Sequence, residues 1–230
     1  MNRIVAAARL HLVNPLVMLG IPWLVVGISF AINLAIWYLT PAGEEGGFSG
    51  GVLALYVTVL VVYLQAVTQL LPFGMGVSLS RRSFYLGTLL VAGIQSLCYG
   101  VAIAVLVAVE GATDGWGAGL TYWGPGIVDV DAFGLQVLVS GAPMLAFMFL
   151  GVGAGIVHQR YGQAGTWVLI VGSMLVLGGA AILLTWLDAW GPVATWFAVQ
   201  SVATLTIALP LAIALLAALV SFRGMRRVVP

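Results

Sequence analysis

Few side chains in this chain of 230 residues have types and spacings that could do chemistry. His11 and His158 have no carboxylate near them in sequence, and no serine-histidine-aspartate, metal-ligand or nucleotide-binding spacing is present. Both histidines are predicted to be surface or interfacial residues. Cys98 is the only cysteine and excludes a disulfide framework, so we interpret it as a small core residue. The sequence therefore predicts neither a catalytic site nor a metal site in this chain.

Carboxylates are concentrated in one polar segment, 110–132, which is also rich in glycine and tryptophan: Glu110, Asp114, Asp129 and Asp131. A membrane enzyme working at the outer face would need these carboxylates to converge with a metal or a nucleophile. The favoured interpretation is a connector or small ordered cap, anchored by aromatic side chains at the headgroup level. The enzyme stays as the less favoured alternative.

The basic residues are separated from the acidic ones along the chain. All eight are arginines, and they fall in alternate connections between apolar stretches: Arg3, Arg9, Arg81, Arg82, Arg160, Arg223, Arg226 and Arg227. The seven acids occupy the other connections, including Glu44, Glu45 and Asp188. By the positive-inside rule, the arginine-bearing segments are predicted to be cytoplasmic. A net charge of +1, with the cations spread over four segments, argues against nucleic-acid binding.

The composition predicts an all-α polytopic membrane protein, because 62% of the residues are hydrophobic and only 7% are charged. A hydrocarbon core about 30 Å thick needs about 20 apolar residues in a helix. Six transmembrane helices with both termini cytoplasmic are expected, near 16–38, 51–71, 84–109, 133–157, 165–186 and 199–222. Residues 1–15 are predicted to form an amphipathic interfacial helix, and 223–230 a basic cytoplasmic tail.

Inside the predicted spans the polar side chains are neutral, which argues against ion-coupled transporters and pumps. Five amides stand out: Asn33, Gln65, Gln69, Gln95 and Gln136. Gln65 and Gln69 are four residues apart and share one helix face. These amides are predicted either to line a substrate pathway or to form hydrogen bonds between helices, and both interpretations stay open. A largely apolar pathway favours a hydrophobic or amphiphilic substrate, since a charged one would lose its hydration without gaining a partner.

The most specific segment is LPFGMGVSLSRRSFYLGTLL, from Leu71 to Leu90. Proline and glycines are predicted to break the second span, and a short turn leads to an arginine pair followed by aromatic residues and a glycine. This pattern resembles the first cytoplasmic loop of ATP-binding-cassette permeases of the type 2 exporter family. The six spans, the entry helix and the short broken or partly re-entrant helix pair expected at 187–198 resemble that family's architecture as well.

The resemblance implies a cytoplasmic ATPase subunit as partner, with ATP and Mg²⁺ bound there and no cofactor in this chain. It also implies a second permease, identical or a paralogue, and a coupling loop that docks in the ATPase: Gly74, Met75, Gly76, Val77, Ser78, Leu79, Ser80, Arg81 and Arg82. A second, smaller cytoplasmic contact is expected in the loop formed by His158, Gln159, Arg160 and Tyr161.

Two further expectations complete the picture. The lysine-free, Ala/Gly/Val/Leu-rich composition suggests a bacterial plasma (inner) membrane, with lipid as the chain's main surroundings. The alternative function is a non-transporting polytopic membrane protein, such as a receptor-like or assembly subunit, which would share this topology without needing an ATPase.

Overall fold

The structure is a computed structural model that describes residues 3–41 and 48–226, without the side chain of Ile127. The expectations for Glu44, Glu45 and Arg227 lie outside these residues. The described chain is helical, and its one β-bridge joins Phe48 to Thr121. The helices are α1 (Arg3–His11), α2 (Leu16–Leu39), α3 (Leu53–Gly76), α4 (Arg81–Ala112), α5 (Phe133–Trp186), α6 (Trp190–Val199) and α7 (Thr204–Met225).

Five of these helices (α2, α3, α4, α5 and α7) are long and apolar enough to cross a membrane, within the described residues. The predicted all-helical class is therefore confirmed, together with its compatibility with a multi-pass membrane protein. The number differs from the six predicted spans because the fourth and fifth predicted spans belong to the single element α5, which has 54 residues.

Helix α5 carries one break in its backbone. A helix rises about 1.5 Å per residue, so 54 residues would extend about 80 Å if straight. Gly162 has φ 62° and ψ −154°, a conformation available essentially to glycine alone. The segment 158–161, predicted to be a loop, is helical up to Tyr161. The sequence located the break correctly to within a few residues, but the structure confines it to one glycine.

The first half of α5 is the centre of the bundle and packs against α3, α4 and α7. Glycines allow these close crossings. A Cβ built on Gly151 would stand next to the backbone carbonyl of Leu60 in α3, and one on Gly100 would lie 2.5 Å from the carbonyl oxygen of Val137. The second half of α5 is different: Trp167, Leu175 and Ile182 are all exposed.

The two ends of the bundle have different chemistry. At one end the arginine-bearing segments meet, since Arg81 donates to the carbonyl of Arg226 and Gln159, next to Arg160, donates to α3. At the other end lie the described carboxylates of the segment 110–132, and Tyr38 there donates to the carbonyl of Trp116. The charge separation along the sequence is thus a separation in space for the described residues.

The break predicted after residue 71 is absent. Helix α3 continues through Pro72 and Gly74 and ends at Gly76, because Gln159 of α5 donates to the carbonyl of Thr68, which Pro72 leaves without its backbone donor. Pro72 and Phe73 are exposed, whereas Leu71 and Gly74 are buried. The predicted coupling loop 74–82 therefore contains the end of one helix, a turn, and the start of the next.

Candidate functional site

The turn between α3 and α4 is a tight helix cap. Ser78 has φ 63°, in the left-handed region, and its N–H donates to the carbonyl of Met75 at 3.1 Å. The N–H of Leu79 donates to the carbonyl of Gly74 at 3.0 Å. These two bonds form a Schellman motif, with a serine at the position that glycine usually occupies. The turn is therefore rigid, and its residues Val77, Ser78 and Ser80 are exposed.

The next helix begins at the end of this turn. Ser80 caps α4 by accepting the N–H of Ser83 at 3.1 Å, and its hydroxyl donates to the hydroxyl of Ser83 at 2.8 Å. Serine is a preferred residue at this position because its oxygen satisfies an N–H that has no partner within the helix. Arg81 and Arg82 occupy the first turn of α4, with Arg81 half-buried and Arg82 exposed.

Helix α1 packs against the start of α4 at a glycine. A Cβ on Gly87 would lie 2.8 Å from both the Cβ of Ala7 and the backbone nitrogen of Ala8, so only glycine fits there without displacing α1. Gly74 of α3 faces Leu10 of α1 as well, at 3.7 Å for a Cβ. The glycine of the RRSFYLG segment thus provides the docking place for the first helix.

His11 completes the contact between α1 and α4, and the prediction that it lies at the surface is wrong. It is 2% exposed, its ring packs against Phe84, and its Nε2 lies 2.9 Å from the hydroxyl of Thr88. Thr88 already donates to the carbonyl of Phe84, so Nε2 is the donor and Nδ1 carries no proton. Burial lowers the pKa of His11 from 6.5 to about 4. The imidazole is therefore neutral near pH 7.

Helix α4 is joined to α7 on its other side. The hydroxyl of Tyr85 donates to the carbonyl of Ala218, and its ring lies 5.3 Å from the ring of Phe222. One turn earlier, Nη1 of Arg81 lies 3.5 Å from the carbonyl oxygen of Arg226 at the end of α7. A cavity of about 570 Å³ opens beside these contacts, lined by Arg81, Arg82, Phe222, Met225 and Arg226.

The second predicted contact region is connected to α3 through Gln159. Pro72 has no N–H to donate to the carbonyl of Thr68 four residues earlier, and Gln159 Nε2 donates to that carbonyl at 2.6 Å. His158 is half-buried, and its Nδ1 lies 2.9 Å from the hydroxyl of Thr166. Arg160 and Tyr161 are both exposed, with the guanidinium 4.9 Å from the centre of the ring.

Gln95 uses the same chemistry within the bundle. Pro22 cannot donate to the carbonyl of Met18, and Gln95 Nε2 donates to it at 3.1 Å. The oxygen of Gln95 accepts the hydroxyl of Tyr63 at 2.9 Å. Gln95 therefore ties α4 to both α2 and α3 and has its amide donor and acceptor engaged between helices.

Asn33 and Gln136 are also engaged in hydrogen bonds, with partners other than those of Gln95. Asn33 donates to the carbonyl of Ser29 at 2.8 Å and accepts the hydroxyl of Ser49 at 2.6 Å. Gln136 accepts the N–H of Val130 at 3.0 Å and donates to Ser140 at 3.3 Å. None of these four bonds joins Asn33 or Gln136 to Gln95.

Gln65 and Gln69 are placed differently, because both are exposed on α3. They line a small cavity of about 110 Å³ where α3 meets the junction of α1 and α2, beside His11 and Asn14. Gln65 and Gln69 are thus two of the five predicted pathway amides that line the same cavity. They form a polar strip on a wall that is otherwise mainly apolar.

At the opposite end, Glu110 organises the segment 110–132. Its carboxylate is 6% exposed and accepts four N–H groups at 2.9–3.4 Å, from Trp116 Nε1 and from the backbones of Tyr122, Trp123 and Gly124. Phe30 of α2 packs against this segment as well, with ring centres 5.0–5.6 Å from those of Trp116, Tyr122 and Trp123.

The other acids of this segment, Asp114, Asp129 and Asp131, are exposed. Asp114 and Asp129 line a shallow cavity of about 200 Å³ with Glu110. No group of three or more His, Cys, Asp or Glu residues that could hold a metal ion occurs in the part of the chain that the structure describes. The carboxylate of Glu110 itself accepts hydrogen bonds from the backbone of the segment, as expected for an ordered cap.

Two features were missed from the sequence. The burial of His11 depends on Thr88, which is 77 residues away, and no local pattern indicates that pair. Cys98 was interpreted as a core residue, but it is exposed on α4 and lines an apolar groove of about 510 Å³ between α1, α2 and α4. A helical face that turns toward lipid is as apolar as one that turns inward, so hydropathy does not separate them.

Comparisons of the chain with protein-family models, with curated proteins and with solved structures gave no match.

Proposed function

We propose that this chain is the transmembrane permease subunit of an ATP-binding-cassette exporter that moves a hydrophobic or amphiphilic substrate. ATP and Mg²⁺ would bind a separate cytoplasmic ATPase subunit, and a second permease, identical or a paralogue, would complete the transporter. The supporting observation is the turn 77–80, which is rigid and exposed at the arginine-rich end of the bundle.

A docking element must pass movement on to the spans, and this turn is connected to do so. Leu79 and Phe84 both lie next to Gly74. One and two turns into α4, Tyr85 and Thr88 bind α7 and α1 respectively. A displacement of the turn therefore acts on several helices at once, as a lever needs to do.

The second contact region would act on the same lever. Gln159 binds the carbonyl of Thr68, two turns before the end of α3, while Arg160 and Tyr161 remain exposed for contact with a partner. Both predicted docking regions thus converge on the last turns of α3.

The membrane arrangement of this proposal has six spans and cytoplasmic termini. Helix α5 would cross twice, turning at Gly162, because its 54 residues exceed the about 20 that one crossing of about 30 Å needs. Helix α1 would lie at the cytoplasmic interface. The exposed side chains of α5 after Gly165, such as Trp167 and Leu175, would then face lipid or the second permease.

The substrate class follows from the walls of the bundle. Gln65 and Gln69 are the predicted pathway amides that remain exposed, and the side chains around them on α3 are mainly apolar. A molecule with a large apolar body and one or two hydrogen-bonding groups would match such a strip. A strongly charged molecule would leave its charge unpaired there.

Co-purification tests the proposal. The chain is extracted from its native membrane in mild detergent, and the bound proteins are searched for a subunit with the nucleotide-binding motif G-x-x-x-x-G-K-[ST]. We expect such a subunit to co-purify with the natural chain and to be lost with Val77→Asp, which changes an exposed side chain of the turn. Thr195→Asp, on exposed α6 at the other end, is the matched control.

A chain that purifies alone from every preparation would overturn the proposal in favour of a non-transporting membrane protein. An ATPase that stays bound to the Val77→Asp variant would contradict the role of the turn.

A further inference from the structure

A cationic cavity lies between the start of α4 and the end of α7. Of the five residues that line it, three are the arginines Arg81, Arg82 and Arg226, and two are the apolar Phe222 and Met225. Its volume of about 570 Å³ is in the range of small-molecule sites. The contacts of Tyr85 with Ala218 and Phe222 fix the two helices that form its walls.

The positive charges of this cavity have no negative partner in the described chain. No carboxylate is among its lining residues, and the described acids stand at the far end of the bundle or its loops. Arg81 interacts with a neutral carbonyl, which leaves its full charge in place. Three guanidinium groups around one cavity repel one another, and an anion would remove that repulsion.

The backbone adds to this preference. Ser80 caps the N–H of Ser83, so the N–H groups of Arg81 and Arg82 remain as donors at the positive end of a helix of 32 residues. Guanidinium groups and first-turn N–H groups are both suitable donors to a phosphate, because a phosphate offers several acceptor oxygens.

The apolar part of the cavity indicates where the phosphate comes from. Phe222 and Met225 lie beside the arginines, and α7 exposes Leu216, Leu219 and Val220 in the two turns before the cavity. A ligand that places its anion among the arginines can thus lay an apolar chain along α7. Basic pockets between transmembrane helices at the cytoplasmic side bind anionic lipid headgroups for this reason.

We propose that the cavity formed by Arg81, Arg82, Phe222, Met225 and Arg226 binds the phosphate of an anionic phospholipid of the surrounding leaflet. The bound lipid links the start of α4 to the end of α7 and neutralises the arginine cluster. This inference goes beyond the proposed permease function and does not need an ATPase, because it concerns the chain and the lipid alone.

The test measures lipid binding to the purified full chain by native mass spectrometry and by thermal unfolding in an uncharged detergent. Phosphatidylglycerol and phosphatidylcholine are added at equal mole fraction. We expect the natural chain to bind phosphatidylglycerol in preference to phosphatidylcholine, and phosphatidylglycerol to raise the melting temperature of the chain. Arg226→Gln should weaken that binding roughly tenfold or more, because it removes a charge-assisted hydrogen bond to the phosphate.

Matched variants separate this site from general charge effects. Arg160→Gln removes an exposed arginine outside the cavity and should keep the preference for phosphatidylglycerol. Val77→Asp, which tests the ATPase contact, should keep it as well, so failure of one proposal is distinguishable from failure of the other. Arg82→Lys keeps the positive charge at an exposed position, so this variant should fold like the natural chain and retain most of the lipid binding.

Three results would overturn the proposal. One is equal binding of the two lipids by the natural chain. Another is equal loss of binding in Arg160→Gln and Arg226→Gln. The third is a melting-temperature rise produced in full by inorganic phosphate at millimolar concentration, which would assign the site to a soluble anion.

Discussion

Nε2 of Gln159 lies 2.6 Å from the carbonyl oxygen of Thr68, 91 residues away, and takes the place of the N–H that Pro72 lacks. A proline inside a helix leaves the carbonyl four residues earlier without its usual donor, and in an apolar bundle water does not replace it. The side chain from α5 therefore allows α3 to continue to Gly76, which positions the exposed turn.

This relationship gives a prediction with a built-in comparison. Gln159→Leu should lower the free energy of unfolding by about 1 kcal/mol, the usual contribution of one hydrogen bond. In a Pro72→Ala background the restored backbone N–H at position 72 donates to the carbonyl of Thr68. Gln159→Leu should then lower the free energy of unfolding by clearly less. Thermal unfolding of the four proteins in detergent completes the double-mutant cycle. Equal losses in both backgrounds would contradict this account of Gln159.

Glu110 should be the side chain on which the segment 110–132 depends. Glu110→Gln replaces a carboxylate oxygen by a donor that faces N–H groups of Trp123 or Gly124, so we expect a loss of about 2 to 4 kcal/mol. Tryptophan fluorescence and protease sensitivity of the segment provide the measurement. Asp129→Asn, at an exposed acid, should change neither, and similar effects of both variants would contradict the structural role.

His11 should make stability depend on pH. The unfolded chain takes up a proton near pH 6.5, whereas the folded chain keeps His11 neutral down to about pH 4. The unfolded state therefore binds more protons between these values, and the free energy of unfolding should fall as pH falls from about 6.5 to about 4, by at most about 3 kcal/mol.

Melting temperatures measured from pH 7.5 to 4.5 test this expectation. His11→Gln should flatten the profile, because the amide can still donate to Thr88 but does not titrate. A slope that survives in His11→Gln would assign the pH dependence to another group.

Two glycines of α4 allow a matched test of the docking of α1. Gly87→Ala would place a methyl group 2.8 Å from the backbone of Ala8, whereas Gly93→Ala meets nothing within 4 Å. The first variant should release α1 and expose the bond after Arg9 to trypsin. The second should be neutral or stabilising by up to about 1 kcal/mol, since alanine favours the helix. Trypsin cleavage that is the same in both variants would contradict the close contact at Gly87.

The sequence predicted the parts of the fold that depend on composition and local spacing. Long apolar stretches indicate the helices, and the arginines or acids between them indicate which helix ends lie together at each end of the bundle. The break near Gly162 follows from the glycine and polar residues there. The prediction that α3 breaks at Pro72 was wrong because the missing backbone donor is replaced by Gln159, which belongs to another helix. The same holds for Gln95, whose bond to Met18 compensates for Pro22.

The candidate site was predictable only in part for the same reason. The short turn before the arginine pair follows from a local pattern of proline, glycine and serine. The burial of His11, the pairing of Arg81 with the end of α7, and the exposure of Cys98 depend on which helix faces which. Hydropathy carries little of that information in a chain whose helices are apolar on nearly every side.

Cross-linking from the turn 77–80 tests the central proposal most directly. A single cysteine is introduced as Val77→Cys in a Cys98→Ala background, and native membranes are treated with a thiol-reactive cross-linker. The account predicts a product between this chain and a nucleotide-binding ATPase, absent when the cysteine is placed instead at Thr195 on α6. A cysteine at position 77 that is freely labelled from the cytoplasmic side, yet gives no product with any ATPase, would contradict it.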